Sequence, residues 1–230
     1  MKISNTRIDR LGDRIRSGKI ADEDLRLLDD YRLSFDPVYE AVVETLKNAL
    51  KLEPTGRPSK STNSISEKLR RESLRLRQMQ DIAGCRVVVD DAVAQDEVMG
   101  RLPKAFEKTS VLDRRKSPSH GYRAVHVVVR KGAVPVEIQI RTELQHSWAQ
   151  LSEKLSDMMD PSIKYGGGPD LVKSKLARLS ENVGKVELLE IRLRDADPRS
   201  EHVLMLAEIK TEFKELFREM IEQGVLWEDG

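Results

Sequence analysis

From Val136 to Thr142 the chain reads VEIQIRT, with apolar Val136, Ile138 and Ile140 alternating with Glu137, Gln139 and Arg141. This period of two predicts a strand with one face on a core and the other open outward, so that a carboxylate, an amide and a guanidinium stand in a row. Just upstream, Ala124, Val125, Val127, Val128 and Val129 predict a second strand, and Lys131-Gly132 the turn that makes the two antiparallel neighbours. Val87, Val88 and Val89, bounded by polar residues, predict a short strand buried on both faces.

Helical spacing governs the rest. Residues 5 to 17 and 21 to 33 predict charged helices, the second with Leu25, Leu28 and Tyr31 on one side. Asp36 then Pro37 reads as an N-cap and first-turn proline, opening a helix whose Tyr39, Val42, Val43, Leu46 and Leu50 form one apolar stripe. Residues 53 to 62, EPTGRPSKST, predict a loop, with Asn63 or Ser64 capping the helix that follows. Residues 91 to 108 predict a helix limited or kinked by Gly100 and Pro103, and the basic loop DRRKSPSHGY comes next. An amphipathic helix is expected from near Glu143. Beyond the glycines 166 to 168, one stripe runs through Val172, Leu176, Leu179, Val183, Val186 and Leu193. After a break at Asp197-Pro198, another runs through Leu206, Ile209, Phe213, Leu216 and Met220. The expected organisation is N-terminal helices over 1-52, a mixed core over 53-165 and a C-terminal helical extension over 166-230.

Composition changes this picture little. With 230 residues and 39% hydrophobic content the chain can bury a core, and 40 basic against 39 acidic residues leave overall charge silent about partners. No stretch approaches the roughly 20 apolar residues of a membrane span. The charged start MKISNTRIDR lacks the apolar centre of a signal peptide, so a soluble cytoplasmic protein without a membrane partner is expected. The single cysteine, Cys85, excludes an internal disulfide, and its apolar surroundings predict a buried thiol.

Local charge is more informative. From Arg57 to Gln78 there are seven basic residues against two acidic, and a loop here enters a helix N-terminus whose backbone N–H groups are free. Taken alone this is a solvated helix face. With Arg57, Lys60 and Lys68 at the same corner, polyphosphate is the expected ligand. Asp81 stands just ahead of the Val87 strand, where a lone aspartate reads as a turn or cap residue. With Glu137 as a partner carboxylate it becomes a candidate metal ligand, because magnesium takes carboxylate oxygens and phosphate takes arginine. His126 reads as a structural histidine, and Tyr122 either packs inward or offers its face to a planar ligand.

The ordered set RPSKSTNSISEKLRR, MQDIAGCRVVV, HGYRAVH and VEIQIRT, ending in a tryptophan-containing helix, resembles the synthetase domain of the RelA/SpoT family of alarmone synthetases over residues 25 to 160. The resemblance implies an α+β fold, a nucleotidyltransferase-like mixed β-sheet flanked by helices, with N-terminal and C-terminal helical extensions. It implies transfer of the β,γ-pyrophosphoryl group of ATP to the 3′-hydroxyl of GDP or GTP, releasing AMP. Asp81 and Glu137 would be catalytic and bind Mg²⁺. Arg57, Lys60, Ser64, Lys68 and Arg86 would contact ATP, and Lys116, Tyr122, His126, Gln139 and His146 the acceptor nucleotide.

Three departures stand out. Arg57 is displaced by one position, with Pro58 at the usual arginine site, while Lys60 keeps its register. His120 replaces the usual asparagine or serine before Gly121-Tyr122. The acceptor-loop lysine is out of register, leaving Arg115 or Lys116 as substitutes, and for His146 a cap, a pocket wall and a catalytic role are all open. His120, His126, His146 and His202 form no His-Asp pair with metal-ligand spacing, so a synthetase without hydrolase activity is expected. Two other readings stand beside it: a toxic relative acting on the tRNA 3′ end or making the adenosine alarmone, with Arg70, Arg71, Arg75 and Arg77 along the RNA backbone, and a catalytically inactive nucleotide-binding module. A homo-oligomer through the C-terminal helices or an antitoxin partner would involve residues 201 to 230, where eight acidic side chains face three basic ones.

Overall fold

The computed structural model describes residues 3–223. Eight helices and five strands are present among them: α1 (Asn5–Ser17), α2 (Asp22–Leu33), α3 (Asp36–Asn48), β1 (Thr55–Arg57), α4 (Thr62–Arg71), β2 (Gly84–Val89), α5 (Ala92–Ala105), β3 (Thr109–Asp113), β4 (Val125–Lys131), β5 (Val134–Thr142), α6 (Glu143–Met158), α7 (Asp170–Leu193) and α8 (Glu201–Gln223). The strands form one mixed sheet in the order β1-β2-β5-β4-β3, so the fold is α+β, as the resemblance implies. No helix among the described residues is long and apolar enough to cross a membrane.

The chain divides into two compact units that alternate along the sequence. The first holds the described residues up to Val87, with Arg101–Val111 and Val127–Gln139. In it α1 packs its Ile8, Leu11 and Ile15 stripe on α2, α4 and the 3-10 turn Leu76–Gln78. Gly12 makes that approach possible, since a Cβ there would lie 2.8 Å from the Leu76 Cβ. The second unit holds Val88–Gly100, Leu112–His126 and the described residues from Ile140 on. Its core joins α6, α7 and α8 around Trp148, Leu151, Val183 and Phe217, all buried. Each fully buried side chain of this kind contributes about 1.5–3 kcal/mol.

Several predicted details shift. Phe35, not Asp36, is the N-cap of α3, because burial of its ring fixes the chain's entry and no side-chain cap bond forms there. Ser61, not Asn63 or Ser64, caps α4: its Oγ accepts from the Ser64 N–H at 3.2 Å, after the Lys60 N–H has tied the preceding residue to the Ile82 carbonyl at 2.8 Å. The predicted loop over 53 to 62 contains β1, paired antiparallel with β2. The Val87 strand is buried on one face only, with Val88 36% exposed. Between the predicted helix over 91 to 108 and the basic loop that begins at Asp113 lies β3, an edge strand with Val111 and Leu112 exposed, which leaves no alternation to read. In α8 the inward position is Phe217, while Leu216 is 43% exposed. Part of the acidic C-terminal stretch, residues 224–230, lies outside the described residues.

Candidate active site

In the first unit, two lysines from different elements converge on one carboxylate. Lys60 closes the loop after β1, and Lys68 sits on α4. Their ammonium groups meet Asp81 Oδ2 and Oδ1, each at 2.9 Å. All three side chains are largely shielded from solvent. Burial alone would push the Asp81 carboxyl up, but the two adjacent cations outweigh it and hold the pKa at about 2. Burial draws Lys60 below its ordinary value of 10.5, against the pull of Asp81 and helped by Arg57 and Lys68.

Glu137 enters this region through the main chain. Its N–H donates to the Ala83 carbonyl at 3.1 Å, two residues on from Asp81. A Cβ on the next residue, Gly84, would lie 2.8 Å from the Glu137 carbonyl oxygen, so β2 approaches β5 here as only glycine permits. The Glu137 carboxylate accepts from Gln139 Nε2 at 2.8 Å. Arg57 is exposed on β1 opposite Gly84, and Arg86 is half-buried opposite Thr55. Ser64 is engaged with Ser61, through Oγ to Oγ at 2.9 Å and through its N–H. Cys85 is buried, and burial together with the Glu137 charge pushes its thiol up to about 12, which leaves it inert.

The depressed Asp81 pKa has a consequence for stability. A carboxylate moved from 3.8 to about 2 on folding stabilises the native state by about 2 kcal/mol. That contribution is complete above about pH 4 and is lost as pH falls through about 2. Acid titration of wild-type protein and Asp81→Asn, followed by circular dichroism and urea midpoints, is expected to show this extra loss in the wild type alone. Parallel curves would contradict it.

In the second unit, Tyr122 follows a tight turn. His120 adopts φ 53° and Gly121 φ 86°, and a Cβ on Gly121 would lie 2.7 Å from Trp148 Cζ2. The Tyr122 hydroxyl and His126 Nε2 are 3.0 Å apart, with the rings edge to face. Arg141 donates to the same hydroxyl at 3.1 Å, with its guanidinium carbon 5.0 Å from the ring centroid. Arg141 is therefore buried rather than open outward, a correction to the reading of its strand: the aromatic turn covers that end of β5. His146 is half-buried in the first turns of α6.

Of the two substitutes for the acceptor-loop lysine, Arg115 is committed elsewhere. It binds Asp113 through both oxygens, at 3.0 and 2.9 Å, and Asp96 at 2.7 Å. Burial opposes its charge, yet the two carboxylates raise its pKa above the ordinary arginine range. Lys116, one residue on, is exposed. The four arginines considered for RNA binding are also engaged: Arg75 and Arg77 on Asp9, Arg71 on Glu72, and Arg70 on the Arg16 carbonyl.

The sequence profile of a region found in RelA / SpoT proteins matches residues 56–156. The chain is 38% identical over 135 residues to an uncharacterized protein of Mycobacterium tuberculosis, covering 56% of this chain and 50% of that one. It is 36% identical over 159 residues to GTP pyrophosphokinase YjbM of Bacillus subtilis, covering 60% and 70%. The chain thus spans about half the length of the mycobacterial relatives it matches. Among solved structures it resembles small alarmone synthetase 1 of Bacillus subtilis bound to its product pppGpp, with TM-score 0.56 and 28% identity over 76% of this chain and 98% of that one. A GTP pyrophosphokinase family protein of Streptococcus pneumoniae gives TM-score 0.55 and 25% identity over 80% and 98%.

Proposed function

The chain belongs to the RelA/SpoT family, and from that premise we propose that it is a small alarmone synthetase moving the β,γ-pyrophosphoryl group of ATP to the 3′-hydroxyl of GDP or GTP. The observation that carries this reading is the pair of lysines on Asp81, each at 2.9 Å, beside the strand that bears Glu137. Two ammonium groups held on one carboxylate are cations in reserve, and a triphosphate offers them a more highly charged partner.

The donor set also fits a magnesium ion. Asp81 and Glu137 supply hard carboxylate oxygens, and magnesium is commonly held by one or two carboxylates together with substrate phosphates rather than by a protein-only cage. Among the described residues no cluster of three or more His, Cys, Asp or Glu side chains is placed to hold a metal, so a site completed by phosphate is the kind these residues suit. When bound, the ion would neutralise charge on the transferred group.

In the proposed reaction the acceptor 3′-oxygen bonds to the β-phosphorus of ATP and the bond from that phosphorus to the α,β-bridging oxygen breaks, so AMP leaves with the bond's electrons. Glu137 takes the 3′-hydroxyl proton. Lys60 and Lys68 shift from Asp81 to the β- and γ-phosphates, with Arg57, Ser64 and Arg86 on the rest of ATP. Tyr122 stacks on the acceptor base, while Lys116, His126, Gln139 and His146 complete the acceptor side. Little covalent work falls to the protein in such transfers, so positioning and charge carry the catalysis. The chain makes the product without hydrolysing it, and it self-associates through the C-terminal helices, where α8 exposes Leu204 and Met205, each at 53%.

Purified protein with Mg²⁺ and γ-labelled ATP, offered GDP, GTP, ATP or deacylated tRNA in turn, tests the reading. Label is expected on the guanosine nucleotides. Label on tRNA or ATP alone would replace the acceptor, and transfer to none of them would overturn the function.

A further inference from the structure

Glu187 lies on α7, beyond the matched 56–156 region, and is only 4% exposed. Its Oε1 accepts from Thr142 Oγ1 at 2.9 Å and from Gln145 Nε2 at 2.6 Å, and its Oε2 is 3.6 Å from Arg123 Nε. Placing a carboxylate in the interior is expensive unless it is paired, and a packed hydrophobic residue is often as stabilising or more so. The charge therefore calls for a reason other than stability.

Its partners supply one. Arg123 directly follows Tyr122, and its Nη2 donates to the Arg115 carbonyl at 2.9 Å, in the loop that carries Lys116. Gly184, one turn before Glu187, leaves the slot for this guanidinium, since a Cβ there would lie 2.8 Å from Arg123 Cζ. Thr142 is the N-cap of α6, the helix that carries His146 in its first turns. Gln145 extends the network to Gln95, whose Nε2 donates to Gln145 Oε1 and to the Ile140 carbonyl, both at 2.8 Å. Three separate stretches bearing proposed acceptor contacts are thus fastened to one carboxylate: the Tyr122 turn, the Lys116 loop and the start of α6.

We infer that Glu187 is a positioning residue for the acceptor nucleotide, acting through Arg123 and Thr142 and touching no substrate itself. The inference rests on the alarmone synthetase reading. It predicts a specific kinetic signature, because the stretches fastened to α7 carry acceptor contacts, whereas the Lys60–Asp81–Lys68 cluster belongs to the other compact unit.

The test is steady-state transfer from ATP to whichever guanosine nucleotide the wild type uses, with Glu187→Gln, Arg123→Gln and the double variant. Glu187→Gln keeps the shape and loses the charge. Each single variant is expected to raise the acceptor KM about tenfold with the ATP KM unchanged, and the double variant to be no worse than either single one. An acceptor KM equal to that of the wild type, equal rises in both KM values, or fully additive effects would each overturn the inference. If Glu187→Gln does not fold, Glu187→Asp, which keeps the charge on a shorter arm, is read by the same criteria. A wild type that transfers to no acceptor fails the functional reading and this inference with it, whereas an active wild type matched by Glu187→Gln fails the inference alone.

Discussion

Asp81→Asn is expected to leave the fold standing and to lower pyrophosphoryl transfer by about a hundredfold to a thousandfold, the range found when one preorganised electrostatic group is removed. Two effects combine. The variant loses the carboxylate proposed to hold magnesium, and it leaves Lys60 and Lys68 facing an amide that cannot balance them. Both lysines are largely shielded but have long, flexible arms that can turn their ammonium groups toward solvent, so the fold survives where a rigid buried ion pair would collapse. Transfer is read from labelled ATP and the fold from circular dichroism. Activity within tenfold of the wild type would remove Asp81 from the mechanism.

Gly121→Ala is expected to destabilise the protein by about 2–4 kcal/mol, from overpacking plus a left-handed backbone conformation that alanine adopts poorly. Trp148 cannot give way. It is 4% exposed, and its Nε1 donates to the Leu176 carbonyl at 2.9 Å. The new methyl would sit 2.7 Å from its ring and 3.4 Å from Ser180 Cβ. For a chain of this size the melting temperature should fall by about 5–15 °C. Because Tyr122 is the next residue, any variant that still folds should also bind the acceptor more weakly. A melting temperature within 2 °C of the wild type, measured by scanning calorimetry (about 1 kcal/mol or less), would show that the turn does not depend on glycine.

Much of this architecture could be read along the chain because it is local. The alternation in VEIQIRT gave β5, and the spacing of Val172, Leu176 and Val183 gave α7, since both periodicities follow from backbone geometry alone. What escaped was set by residues distant in sequence. Lys60 and Lys68 lie 21 and 13 residues before Asp81, and nothing local shows that all three meet. Arg141 looked like an outward position because alternation cannot reveal that Tyr122 will cover it. Glu187, set between Val186 and Leu188, looked like an ordinary charged residue on an amphipathic helix, and only the packing of α7 shows that it faces Thr142 and Arg123. The edge strand β3 carries exposed Val111 and Leu112, so its polar and apolar pattern resembles that of a loop. Functional assignments came from the ordered motifs, not from periodicity.

In the proposed mechanism Asp81 is where the cation and the triphosphate meet, with Lys60 and Lys68 released to the phosphates. Calorimetric binding of a non-hydrolysable ATP analogue, with and without Mg²⁺, to wild-type protein and Asp81→Asn reads out this meeting point. Mg²⁺ is expected to tighten binding to the wild type and to have a much smaller effect on Asp81→Asn, while the variant, its lysines freed, binds the metal-free analogue at least as tightly as the wild type does. The same Mg²⁺ dependence in both proteins would contradict it.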